Sequence, residues 1–111
     1  MNDIPTLTNQ MGVWLWITTN GGDQTLTLNS YAANPSSPVN INLYNGWNMV
    51  GYPSATSRAE TATLPGPVDY VSVWQAASPY VANHAPGGSL MAAGNAYWLH
   101  VTADCTWVVN P

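Results

Sequence analysis

Apolar and polar positions alternate along most of this chain with a period of two, the pattern of half-buried strands rather than helices. In "GVWLWITT" (12–19), Val13, Leu15 and Ile17 fall on one face and Trp14, Trp16 and Thr18 on the other. "QTLTL" (24–28) alternates Thr25 and Thr27 with Leu26 and Leu28, and "VNINL" (39–43) alternates Val39, Ile41 and Leu43 with Asn40 and Asn42. "WNMVGY" (47–52), "VDYVSVWQ" (68–75), "AYWLHVT" (96–102) and "CTWVV" (105–109) follow, and a further short strand is expected around Tyr80–Val81. Turn residues punctuate the runs: Asn20-Gly21-Gly22-Asp23, Asn34-Pro35-Ser36-Ser37-Pro38, Asn45-Gly46, Pro65-Gly66-Pro67 and Pro86-Gly87-Gly88. Short strands at this spacing predict an all-β fold, an antiparallel sandwich or sandwich-like barrel of seven to eight strands in one domain over residues 1–111.

One segment breaks the alternation. Ser57 stands three residues before Glu60 in "SATSRAETATL" (54–64), a capping-box pattern, and the alanines favour helix. A short helical turn is expected over 57–64, ended by Pro65-Gly66-Pro67.

The stretch "INLYNGWNMVGYPS" (41–54) reads as a β-hairpin with two registers. A two-residue Asn45-Gly46 turn would put Asn48 among Val39, Ile41, Leu43 and Val50 and leave Trp47 and Met49 wet. A three-residue loop with Gly46 in the left-handed position would instead gather Val39, Ile41, Leu43, Trp47 and Met49 on one face. Burying a Trp contributes about 2–3 kcal/mol and an unpaired buried amide costs about 1–3 kcal/mol. That comparison selects the second register and predicts a mostly buried Trp47.

Composition narrows the function. Only 5% of the 111 residues are charged, and Arg58 is the single cation against four Asp and one Glu. Nucleic acid and anionic membrane surfaces both call for Lys and Arg, so neither is an expected partner. No apolar run of about 18 residues is present, so no membrane insertion is expected, and "MNDIPTLTNQ" lacks the basic and apolar regions of a signal peptide. Six Trp, six Tyr and no Phe supply aromatic surface with polar handles. Low charge with many Asn and Thr suits an extracellular or cell-surface module.

Catalytic and metal chemistry find little footing. The five acids, at positions 3, 23, 60, 69 and 104, form no obvious pair for glycoside hydrolysis. Cys105 with His100 lacks an orienting acid beyond Asp104. His84, His100 and Cys105 have no zinc-like spacing, and no loop carries the several carboxylates that calcium requires. The expectation is a chain with no metal, no cofactor and no enzymatic activity.

The segment "INLYNGWNMVGYPS" resembles a motif of repeat modules found in secreted and cell-surface bacterial and archaeal proteins, L-x-x-G-W-N-L-[V/I]-[G/S]-x-P. It is carried here by Leu43, Gly46, Trp47, Asn48, Met49, Val50, Gly51 and Pro53. Met49 replaces the usual Leu. A closing strand at Gly94–Thr102, loosened by Asn95-Ala96, and the Thr/Val-rich "CTWVV" extend the resemblance over residues 39–111. It implies an extracellular β-module of a larger protein with no catalytic residues to carry over.

"MGVWLWITT" also echoes "GNAYWLHVT", with Trp14-Leu15 aligned to Trp98-Leu99. One reading is that a closing hairpin of a preceding repeat (12–29) is followed by one unit (38–111). The other is chance likeness between short hairpins. If Tyr97, Leu99 and Val101 face inward, Trp98 and His100 face outward beside Trp14 and Trp16. With Trp74, Asn40 and Asn42 these residues make a candidate partner-binding strip. Its expected occupant is a neighbouring module or a second copy of the chain. A carbohydrate is the alternative, and a small free-standing oligomeric protein is a further one.

Overall fold

Two chain segments, 39–51 and 96–109, run antiparallel as one ribbon and bend together at a shared corner. The computed structural model describes residues 6–15, 22, 25, 36–75 and 77–111. Before the corner, β1 (Val39–Leu43) pairs with β8 (Cys105–Val109), with Ile41 opposite Trp107. Beyond it, β2 (Gly46–Gly51) pairs with β7 (Ala96–Val101), with Trp47 opposite His100 and Met49 opposite Trp98. Thus β1 and β2 are not hydrogen-bonded to each other.

The expected hairpin at Asn45-Gly46 is therefore replaced by a corner between two sheets. Gly46 takes φ +100°, a left-handed conformation open to glycine at little cost. Asn48 fastens the corner. Its Nδ2 donates to Tyr44 O at 2.7 Å and to Gly46 O at 3.1 Å, while its Oδ1 accepts from Tyr44 N at 2.9 Å. The neighbouring bend at 102–104 is tied to it by Asp104, whose Oδ1 accepts from Asn45 N at 2.7 Å.

Trp47 is 53% exposed, which overturns the buried position expected from the sequence. The physical reason is twofold. Asn48 lies on the same face as Val50, but its amide is satisfied by the corner backbone and carries no desolvation cost. Trp47 packs across the sheet with Trp98 and His100, so it recovers part of its burial on the solvent side.

The four-stranded antiparallel sheet has the order β2-β7-β4-β5, with β4 at Val68–Trp74 and β5 at Val81–His84. Val50, Val68, Val71, Tyr97, Leu99 and Val101 point inward from it. They meet Ile41, Leu43, Trp107 and Val109 of the β1-β8 pair in one core. This is the all-β antiparallel sandwich that the alternation predicts. Polar groups of the large core aromatics are satisfied: Trp107 Nε1 donates to Thr63 O at 2.8 Å, and Ala92 N donates to the Tyr97 hydroxyl at 2.7 Å.

Two further two-residue strands, β3 (Arg58–Ala59) and β6 (Leu90–Met91), pair antiparallel. They explain why the helix α1 covers only Glu60–Thr63. Pairing holds residues 58–59 extended, so the capping box of Ser57 and Glu60 does not form, and Ala59 is the N-cap without a side-chain bond. Glu60 is instead buried, at 1% exposure. Its Oε2 accepts from Gly87 N at 2.9 Å and its Oε1 lies 2.7 Å from His84 Nε2, which ties down the loop between β5 and β6. Arg58 bonds Ser54 Oγ at 2.7 Å and Asn110 O at 2.9 Å.

Candidate functional site

The solvent face of the four-stranded sheet follows from strand alternation. On β7, Tyr97, Leu99 and Val101 are buried, which turns Trp98 and His100 outward. On β4, Val71 is buried, so Tyr70, Ser72 and Trp74 share the opposite face. The register then aligns side chains in rows: Trp47, His100 and Tyr70 in one, and Met49, Trp98, Ser72 and Asn83 in the next. Trp74 lies one pleat further along, opposite Val81.

Trp47, the row of Met49, Trp98, Ser72 and Asn83, and Trp74 line a groove of about 670 Å³, to which Asn95 and Ala96 contribute at the start of β7. Trp98 is 40% exposed and Trp74 is 54% exposed. Trp47 meets Trp98 edge-on at 6.4 Å between ring centroids and meets His100 at 5.1 Å. At the other end, Trp74 meets Trp14 at 5.0 Å with rings nearly perpendicular and stacks on Tyr80 at 5.7 Å. Tyr80 holds a positive φ of 59° in the turn before β5, an uncommon conformation outside glycine that sets its ring over Trp74.

The N-terminal segment completes the groove. Gly51 N donates to Gln10 O at 2.9 Å, and Met11 bridges to Val50, so residues 10–11 cover the outer edge of β2 at its Val50–Gly51 end. The chain then crosses onto the solvent face. The approach is close: a Cβ on Gly51 would lie 2.7 Å from Asn9 O, and one on Gly12 would lie 3.0 Å from both Ala96 Cβ and Met49 Cγ. Val13 and Trp14 follow as part of the groove wall.

This placement corrects the expected strand over "GVWLWITT". Residues 12–15 are irregular, and Leu15 is 61% exposed rather than in the core. Edge pairing ends at Met11, so over residues 12–15 no ladder imposes alternation. Trp16 and most of "QTLTL" lie outside the described residues, as does most of the proposed closing hairpin 12–29.

Of the candidate strip, Trp14, Trp74 and Trp98 come together in the groove, and His100 adjoins it through Trp47. Asn40 and Asn42 do not join them. Ile41 and Leu43 face the core, so both asparagines project from the outer face of the β1-β8 pair, across the sandwich from the tryptophans. Asn42 accepts there from Thr106 Oγ1 at 3.3 Å. The sequence reading missed Trp47, Met49, Ser72 and Asn83 as groove residues, although the alternation of "VDYVSVW" carries the signal for Ser72.

A β-bulge shapes the polar end. Val68 pairs with Val101 and Tyr70 with His100, so Asp69 is the extra residue. The bulge brings its Oδ1 to 2.6 Å from His100 Nδ1. With the Asp69 oxygen accepting, Nδ1 is the protonated nitrogen, and Nε2 lies on the far edge of the ring. Cys105 is part-buried beside the core, and its thiol is pushed above the usual range first by burial and then by the charge of Asp104. Among the described residues no three His, Cys, Asp or Glu side chains come together to hold a metal ion. Among the same residues no helix is long and apolar enough to cross a membrane. Comparison of the chain with protein-family models, with curated proteins and with solved structures finds no match.

Proposed function

We propose that this protein is a non-catalytic recognition module, of the kind carried by exported and cell-surface proteins, and that the aromatic groove is its working surface. The observation that carries the reading is the gathering of Trp14, Trp47, Trp74 and Trp98, all substantially exposed, around one groove on one face of the sheet. Exposed aromatic surface of this kind marks an interaction site, because leaving several indoles in water gives up burial energy that a partner restores. The sparsely charged composition and the likeness of Leu43–Pro53 to a surface-module motif support the setting. Asp69 with His100 forms a polar pair at the groove's end, but among the described residues no nucleophile is bonded to that histidine in the manner of an activated dyad.

Sedimentation velocity over a range of concentrations, on the native chain and on a Trp47→Ala/Trp98→Ala variant, tests whether the groove is the surface in use. A concentration-dependent oligomer that the variant abolishes supports the reading, as does a monomer whose added ligand the variant no longer binds. Association that persists unchanged in the variant overturns it, since the working surface then lies elsewhere.

A further inference from the structure

We infer that the ligand of the groove is an uncharged oligosaccharide lying diagonally across the sheet from Trp47 to Trp74, an inference that rests on the groove being the working surface. Trp47, Trp98 and Trp74 occupy three successive strands, β2, β7 and β4, each displaced by one pleat from the last. Two inter-strand spacings and four residues of strand rise make this track roughly 16 Å long. That is an extended site for a short chain of sugar units rather than a pocket for one small molecule.

The ring geometry fits such a chain. Trp47 with Trp98, and Trp14 with Trp74, meet at interplanar angles of 62° and 89°, so neither pair is stacked face to face, while Tyr80 stacks on one face of Trp74. A pyranose presents C–H groups on its faces and hydroxyls at its rim. The faces pack on indole rings while the rim keeps its hydrogen bonds with water or with nearby amides. Ser72, Asn83 and Asn95 supply neutral hydroxyl and amide groups in the lining.

Charge decides the class. Among the described residues the groove lining contains no Lys, Arg, Asp or Glu. A sulfate, uronate or ammonium group drawn against Trp98 or Trp74 would be desolvated with no counter-charge in that lining, the Asp69–His100 pair standing outside it beyond Trp47. Other occupants fit less well. An extended peptide needs backbone partners, which a strand edge provides and the sheet face between Trp47 and Trp74 does not. A two-fold pairing of copies through this face would set groove upon groove and leave a void in the contact.

Isothermal titration calorimetry of the full chain tests the inference with neutral gluco-, xylo-, manno- and chito-hexasaccharides. Oligogalacturonate and heparin-derived fragments form the charged arm. At least one neutral probe is expected to bind, with Trp98→Ala weakening it about tenfold or more and Asn83→Ala weakening it by a smaller factor. Near-ultraviolet circular dichroism checks that the variants keep the native core. Binding of the charged arm alone overturns the inference and leaves the groove as the working surface. Binding of a neutral probe that neither Trp47→Ala nor Trp98→Ala weakens overturns it as to place. If no probe binds, the ligand class is overturned. Sedimentation then separates the two claims: association lost in Trp47→Ala/Trp98→Ala preserves the groove reading, and association indifferent to those changes removes it as well.

Discussion

The side chain of Asn48 and the backbone of Tyr44 exchange hydrogen bonds in both directions, at 2.7 and 2.9 Å, and so close the corner where β1 leaves one sheet and β2 enters the other. This small ring of bonds does the work expected of a hairpin turn. Asn48→Ala leaves Tyr44 N and two carbonyls to find new partners and is expected to cost about 2 kcal/mol. Asn42→Ala, which removes one exposed bond with Thr106, is expected to change stability by less than about 0.5 kcal/mol. Urea unfolding of the two variants checks the contrast. It should appear as a shifted midpoint with an unchanged slope for Asn48→Ala.

Two tryptophans should respond in opposite ways. Trp107 is fully buried, and Trp107→Ala is expected to cost about 3–5 kcal/mol through lost packing and a cavity. Trp47 is more than half exposed, and Trp47→Ala is expected to cost about 1 kcal/mol or less. Thermal unfolding ranks them. The reverse order would restore the hairpin register in which Trp47 fills the core.

One strand central to the site was legible from its alternation. "AYWLHVT" put Tyr97, Leu99 and Val101 inward and Trp98 and His100 outward, as found. What the alternation could not supply is which strand lies beside which. Register depends on pairing, and the pairing of "INLYNGWNM" is with residues 96–109, more than forty positions away, rather than with itself. The energetic comparison that buried Trp47 failed because it assumed an unpaired Asn48 amide, and only the folded corner reveals its three bonds. The short pair of β3 and β6 had no signal, since two residues are too few to show a period. Asn40 and Asn42 were rightly outward but on the other sheet, a distinction that alternation within one strand does not contain.

Gly51 lies where the N-terminal segment docks on β2. Gly51→Ala would force a Cβ against the carbonyls of Asn9 and Met11, and those are backbone atoms that yield only by moving the segment. The expected outcome is release of residues 9–12 with the global fold retained. Amide hydrogen exchange should show faster exchange at Gly51, whose N–H donates to Gln10 O, while amides of β7 keep their protection. Iodide quenching of tryptophan fluorescence should rise as Trp14 leaves Trp74.

Cys105 should behave as a quiet thiol. Burial and then Asp104 hold its pKa above the ordinary 9.0, so at neutral pH the reactive thiolate is scarce and alkylation by iodoacetamide is slow. Because the folded value lies above the unfolded one, the stabilising contribution is complete below the unfolded pKa. It is lost as pH rises through the folded pKa, so stability declines on the alkaline side. Asp104→Asn keeps an acceptor for Asn45 N but removes the charge. It should lower the pH midpoint of alkylation only partly, since burial is the larger cause.

The central claim is that recognition takes place on the aromatic face of the four-stranded sheet. The most direct measurement follows the tryptophan indole N–H signals in a ¹H–¹⁵N spectrum while a neutral hexasaccharide that binds in calorimetry is added. The account predicts that the indole signals of Trp47, Trp74 and Trp98 shift together. That of Trp107, whose N–H is held by Thr63 O inside the core, should stay in place. Stationary groove indoles, with shifts clustered instead at Asn40, Asn42 and Thr106 on the opposite face, would contradict it.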